Sequence, residues 1–162
     1  MSILETRIQH WSNEAACAAS AVVLAGTIGR HETLADAFIE LHGPLGAGKT
    51  TFVRHLLHAL GVEGRVKSPT YALMEPYEIQ RAGAPLAIWH FDFYRFDDAQ
   101  EWEDAGFRDL FASRGLKLAE WPEKAESLLP QADLRLHIEP IADDARSARF
   151  EAHTARGMAL IA

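Results

Sequence analysis

The sequence predicts an α/β fold: a mixed, mostly parallel sheet covered by helices. Three observations predict it. Short apolar or alternating runs, the mark of strands, are interleaved with longer runs of helical period. One glycine-rich stretch lies between a strand-like run and a helix-like run, the order of a strand–loop–helix unit. Late in the chain, strand-like runs follow one another in pairs, which adds antiparallel neighbours to the sheet.

Taken in order, Thr6 to Trp11 reads as a strand, and Ser12 or Asn13 caps a helix from Glu14 to Ile28. Phe38 to His42 is a short strand, although Glu40 and His42 alternate with apolar neighbours where a central parallel strand is usually apolar on both faces. Thr51 to Leu60 is an amphipathic helix, and Gly61 is its stop signal. Tyr71 to Ile79 and Leu86 to Asp92 are strands joined by a turn over residues 80–85. The acidic segment 97–104 opens a helical region, as carboxylates suit helix N-termini. Gly115 to Glu120 is a strand, and Pro122 to Leu129 a short helix with Pro in its first turn. Leu134 to Ile141 and Arg149 to Thr154 are the last two strands.

The 162 residues suit a single domain spanning 1–162. Hydrophobic residues are 48% and charged residues 24%, the balance of a globular protein with a real core. A net charge of -7 excludes an overall basic nucleic-acid binder. Cys17 is the one cysteine, so neither a disulfide framework nor a cysteine metal cluster is available, and among alanines it reads as a small core residue. The first residues do not read as a signal peptide and no apolar run reaches membrane-spanning length, so a cytoplasmic location without membrane contact is expected.

The chemistry is concentrated in Gly43-Pro44-Leu45-Gly46-Ala47-Gly48-Lys49-Thr50, which fits the phosphate-binding pattern G-x-x-x-x-G-K-[ST]. Backbone N–H groups must turn inward around a polyphosphate, and glycine lets the chain wind that tightly. The following helix points its positive end at the anion. Lys49 can reach the β- and γ-phosphates, and the Thr50 hydroxyl can ligate Mg²⁺. The expected nucleotide-binding residues are Gly43, Leu45, Gly46, Ala47, Gly48, Lys49, Thr50 and Thr51. This motif narrows the fold to a P-loop NTPase-like, three-layer α/β/α architecture.

Hydrolysis also needs metal ligands and a group that positions or deprotonates water. Acids at strand ends are the places to look, because open α/β sheets bind ligands at that edge. Asp92 follows the apolar run 86–89 and can hold Mg²⁺ through water or orient the attacking water. The competing reading is a strand-end Asp capping a turn. Glu120 ends another strand and can ligate the metal, with Trp121 packed beside it; the competing reading is a solvated Glu and a core Trp. Ser68-Pro69-Thr70 offers hydroxyls to the γ-phosphate or the metal, or is a simple Pro turn.

Together, the loop, the Ser68-Pro69-Thr70 triplet, His90-x-Asp92-x-Tyr94-Arg95 and Glu120-Trp121 resemble the TsaE (YjeE) family of ATPases of bacterial tRNA threonylcarbamoyladenosine (t6A) synthesis. The resemblance covers roughly residues 10 to 140. It implies ATP or ADP as ligand, Mg²⁺ as cofactor, and action with a TsaB–TsaD heterodimer on adenosine 37 of tRNAs reading codons that begin with A. Contact with tRNA is then indirect or through the complex. By position it implies that Lys49 holds phosphate and takes part in catalysis with the carboxylate Asp92. Thr50 and Glu120 bind the metal, and Trp121 lies near the nucleotide. Pro44 stands where an acidic residue is common, and Tyr71 where Phe is usual. No functional residue carries over from beyond Ala142.

A P-loop small-molecule kinase is the alternative, though it needs an acceptor region and a lid for which this chain has little spare sequence. A GTPase is disfavoured because no Asn-Lys-x-Asp segment occurs. Histidines show no metal-ligand spacing, and His55 and His58 read as a solvated helix face. Arg95 can neutralise phosphate charge or pair with a carboxylate. Arg65 and Lys67 read as ordinary exposed cations.

Overall fold

The computed structural model describes residues 2–66, 69, 73–81 and 83–162. The elements are β1 Glu5–Trp11, α1 Glu14–Ile28, β2 Phe38–His42, α2 Lys49–Leu60, β3 Met74–Arg81, β4 Ala84–Asp92, α3 Ala99–Ala105, α4 Phe107–Ala112, β5 Leu116–Glu120, β6 Leu134–Ala142, β7 Ala145–Ala152 and α5 Ala155–Leu160. Short 3-10 turns lie at Glu32–Asp36 and Pro122–Ala125.

One sheet takes the order β1-β7-β6-β2-β5-β4-β3. Its centre is parallel: β2 pairs with β5 and β6, and β4 with β5. Its flanks are antiparallel: β3 on β4, β7 on β6 and β1 on β7. For β3–β4 and β6–β7, and for the parallel centre, the division follows from connection length; β1 reaches β7 from the far end of the sequence. Neighbours joined by a tight turn pair antiparallel, whereas parallel strands need a crossover long enough to hold a helix.

Alternation along the strands sorts side chains into two apolar layers. Ile39, Leu41, Ile88 and Leu118 pack with Leu24 and Ile28 of α1 and Phe52 and Leu56 of α2. The other cluster holds Phe91, Phe93, Trp102 and Phe107. There the Phe91 and Phe107 rings meet edge-on at 5.1 Å, a favoured aromatic geometry. Burying each such side chain contributes roughly 1.5–3 kcal/mol. Glu40 faces this second side. It is buried, with Arg135 Nε at 3.0 Å and His42 Nε2 at 2.9 Å from its carboxylate, so ion pairing accounts for the polar alternation of β2.

Helix α1 has the bounds the sequence predicts, because Asn13 Oδ1 accepts the Ala16 N–H at 3.0 Å. Helix α2 starts earlier than expected, at Lys49, with Gly48 as its left-handed N-cap. The expected helix from Pro122 to Leu129 is only a 3-10 turn over Pro122–Ala125. Trp121 before it is left-handed and Pro130 follows, and beyond Ala125 the chain continues only in turns. Strand β7 begins at Ala145 rather than at the expected Arg149, and α5 is an element beyond those the sequence predicts. Tyr71 and Ala72, expected to start β3, lie outside the described residues. Among the described residues no helix is long and apolar enough to cross a membrane.

Candidate functional site

Strands β2, β4 and β5 end at the same edge of the sheet. His42 leads into Gly43, Asp92 closes β4, and Glu120 closes β5 with its Cα in register with that of Asp92. A cleft of about 370 Å³ opens there, lined by residues from Leu45 to Thr51 together with Asp92, Tyr94, Arg95, Glu120 and Trp121. Sequence reasoning nominated most of these residues, and the parallel core brings them to one place.

The phosphate-loop backbone takes its shape from glycines. Gly46 has φ +80° and Gly48 φ +107°, values that residues with a Cβ rarely adopt, and no side chain crowds either position. A turn closes between the Pro44 carbonyl and the Ala47 N–H at 3.0 Å. Leu45 projects outward at 74% exposure, so this residue offers the cleft its backbone. Gly43 does not line the cleft, and its carbonyl accepts from Lys49 Nζ at 2.6 Å.

Lys49 is 4% exposed, and its ammonium also sits 3.4 Å from the centroid of the Trp121 ring. Burial holds its pKa below the usual lysine value, against the pull of Glu120, Glu123 and Asp92. Trp121 reaches this place because its backbone is left-handed, with φ 55°. That conformation costs a non-glycine residue roughly 1–2 kcal/mol, and the cation–π contact and the Tyr94 ring at 5.0 Å hold the indole there.

Thr50 Oγ1 donates to Glu120, 2.9 Å from Oε1 and 3.0 Å from Oε2. Glu120 is 2% exposed, and His90 Nε2 lies 2.6 Å from its Oε2. Asp92 is half-buried. Burial raises its pKa above the ordinary carboxylate range, the Tyr94 N–H at 3.0 Å opposes the rise, and the Glu120 charge adds to it. That N–H contact is also the turn cap weighed for Asp92, so the residue caps its turn while facing the cleft. The solvated alternative for Glu120 does not hold.

Arg95 lines the cleft and has no ion pair among the described residues. His55 Nε2 and Arg54 Nη2 instead reach Glu14 of α1, at 2.9 and 3.4 Å, and so tie the two helices together. In the Ser-Pro-Thr triplet, Pro69 lines the cleft, and Ser68 and Thr70 lie outside the described residues, as does Lys67.

Two residues with a hand in the site had no assigned role. His90 stands two positions before Asp92 on the same strand face, a spacing visible in sequence, but its partner on β5 is not. Arg146, beyond the stretch from which residues carried over, donates from Nε to the Ala47 carbonyl at 2.8 Å and anchors the loop to β7. No sequence signal points to that contact, which spans 99 positions.

The family model for the threonylcarbamoyl adenosine biosynthesis protein TsaE matches residues 11–148, a span that includes Arg146. The tRNA threonylcarbamoyladenosine biosynthesis protein TsaE of Haemophilus influenzae is 45% identical over 123 residues, 76% of this chain and 75% of that protein. Its namesake from Bacillus subtilis is 38% identical over 114 residues, 70% and 68% of the two chains. In structure, the chain is similar to Bacillus subtilis YdiB, a crystal structure, at a TM-score of 0.75 and 26% identity, over 99% of this chain and 95% of that one.

Proposed function

This chain belongs to the TsaE family, and on that premise we propose that it binds and hydrolyses Mg-ATP in support of t6A formation on tRNA, acting with TsaB and TsaD. The observation that carries the reading is the Thr50–Glu120 pair at the head of α2, with Asp92 beside it and Lys49 lining the same cleft.

The residues fit both parts of the ligand. Loop N–H groups and the start of α2 favour an anion, and Lys49 needs only to leave the Gly43 carbonyl to meet phosphate oxygens. Thr50, Glu120 and Asp92 offer oxygen donors alone, the hard set that suits Mg²⁺. Thr50 and Glu120 would hold that ion, which would supply charge compensation for the phosphate oxygens. Asp92 accepts a proton from the attacking water or aligns it, a role that its raised pKa brings nearer to neutral pH. Trp121 forms one wall of the cleft and keeps water from the lysine. The cleft is open on its outer side, with exposed Leu45 and Tyr94 on the rim, so the isolated chain excludes water poorly and turns over slowly.

Reconstitution tests the proposal. With TsaB, TsaD, tRNA and preformed threonylcarbamoyl adenylate, this chain should raise t6A formed per enzyme only when ATP is also present. TsaB–TsaD should in turn speed its ATP hydrolysis. Equal hydrolysis with and without the pair, or t6A yield indifferent to this chain, overturns it. Transfer of labelled phosphate to an organic acceptor would instead favour a kinase.

A further inference from the structure

His90 is a polar residue on an otherwise apolar stretch of strand. It follows Leu86 and Ile88 on the face of β4 that packs toward α2, and it is fully buried. A leucine would fill similar space without the cost of taking an imidazole out of water. One ring nitrogen recovers that cost, because Nε2 lies 2.6 Å from Glu120 Oε2. The other, Nδ1, is buried and has no hydrogen-bond partner among the described residues. A carboxylate oxygen facing Nε2 accepts, so Nε2 carries a hydrogen and donates it to Glu120.

The backbone sets this contact. Strands β4 and β5 run parallel, with His90 in register with Leu118 and Asp92 with Glu120. His90 therefore sits one strand pair below the cleft and reaches up to the carboxylate from its buried side. Thr50 grips the same carboxylate from the loop side. Without the imidazole, the Glu120 carboxylate would have no donor on its buried side among the described residues and could turn about its last torsion, a soft rotation.

We propose that His90 is a positioning residue: it fixes Oε2 of Glu120 so that the carboxylate and the Thr50 hydroxyl meet a divalent cation together. This rests on the metal-binding role proposed above for Glu120. Partners of this kind, one step removed from a metal, change affinity by roughly 10- to 100-fold.

Three substitutions test it. His90→Gln can place an amide N–H where Nε2 stands, His90→Asn puts its amide nitrogen at the Nδ1 position and falls short of Glu120, and His90→Leu fills the space with no donor. Each is titrated with ADP in the absence of divalent metal, which checks fold and loop, and then with Mn²⁺ in the presence of ADP, read by electron paramagnetic resonance. Metal-free ADP affinity should be unchanged in all three. Mn²⁺ affinity should fall about tenfold or more in the Leu and Asn variants and stay within about threefold of the parent in the Gln variant. If the Leu variant fails to bind metal-free ADP, the Gln–Asn contrast decides. Equal Mn²⁺ affinity in those two overturns the role of His90. A Glu120→Ala protein that binds Mn²⁺ like the parent overturns the underlying reading of Glu120 instead, so the two failures are distinct.

Discussion

The Thr50 hydroxyl lies within 3.0 Å of both carboxylate oxygens of Glu120, joining the head of α2 to the end of β5 across 70 positions of sequence. The contact exists because β2 and β5 are parallel neighbours that both end at the cleft. Glu120→Ala should therefore leave metal-free ADP binding near the parent value and shift Mg²⁺ activation of hydrolysis to higher concentration, by roughly tenfold or more. An unchanged Mg²⁺ titration would remove Glu120 from the metal site.

Lys49 is held by a carbonyl and an indole, both of which it can exchange for phosphate oxygens. Lys49→Ala should weaken ATP binding roughly 10- to 100-fold, the loss expected for a charged hydrogen bond, as measured by calorimetry. Binding within twofold of the parent would contradict its role.

Asp92→Asn should retain ATP affinity and lose turnover by roughly 10²- to 10⁴-fold. Because burial raises the Asp92 pKa, its base form is lost on acidification at a higher pH than for an exposed carboxylate. Parent activity should fall as pH drops, with its midpoint above the ordinary carboxylate range, and the residual activity of the Asn variant should lack that limb. The sign for stability is opposite. A raised native pKa makes ionised Asp92 a cost as pH rises, so the Asn variant should be at least as resistant to urea at neutral pH.

Trp121 is one of four tryptophans, and its ring centroid lies 3.4 Å from the Lys49 ammonium proposed to meet the phosphate. ATP addition should change the intrinsic fluorescence of the parent, and Trp121→Phe should abolish most of that change. If the signal persists in the variant, another tryptophan reports on binding.

Burial pushes the Cys17 thiol up to about 11. The folded protein should therefore resist Ellman's reagent at pH 8 and react at once in denaturant. Rapid labelling of the native protein would mean that α1 opens far more readily than its packing against α2 suggests.

Local chemistry was legible in the sequence, and adjacency was not. Asn13 and Gly61 marked helix ends because caps act over three or four residues. The phosphate loop was legible because glycine spacing encodes a backbone shape. Asp92 and Glu120 could be nominated as strand ends, but their alignment on adjoining strands depends on a sheet order that no local pattern carries. Helix α5 escaped because six residues are too few for a period, although Thr154 capping the Gly157 N–H was a usable sign. Arg146 escaped for the opposite reason: its contact is wholly long-range.

The Arg146–Ala47 bond has a practical consequence. A fragment trimmed to the recognisable motifs, from β2 through Trp121, would lack the strut that braces its own loop. Such a miniature would keep every signature residue and still grip nucleotide loosely, so the hairpin of β6 and β7 is best regarded as working machinery rather than ballast.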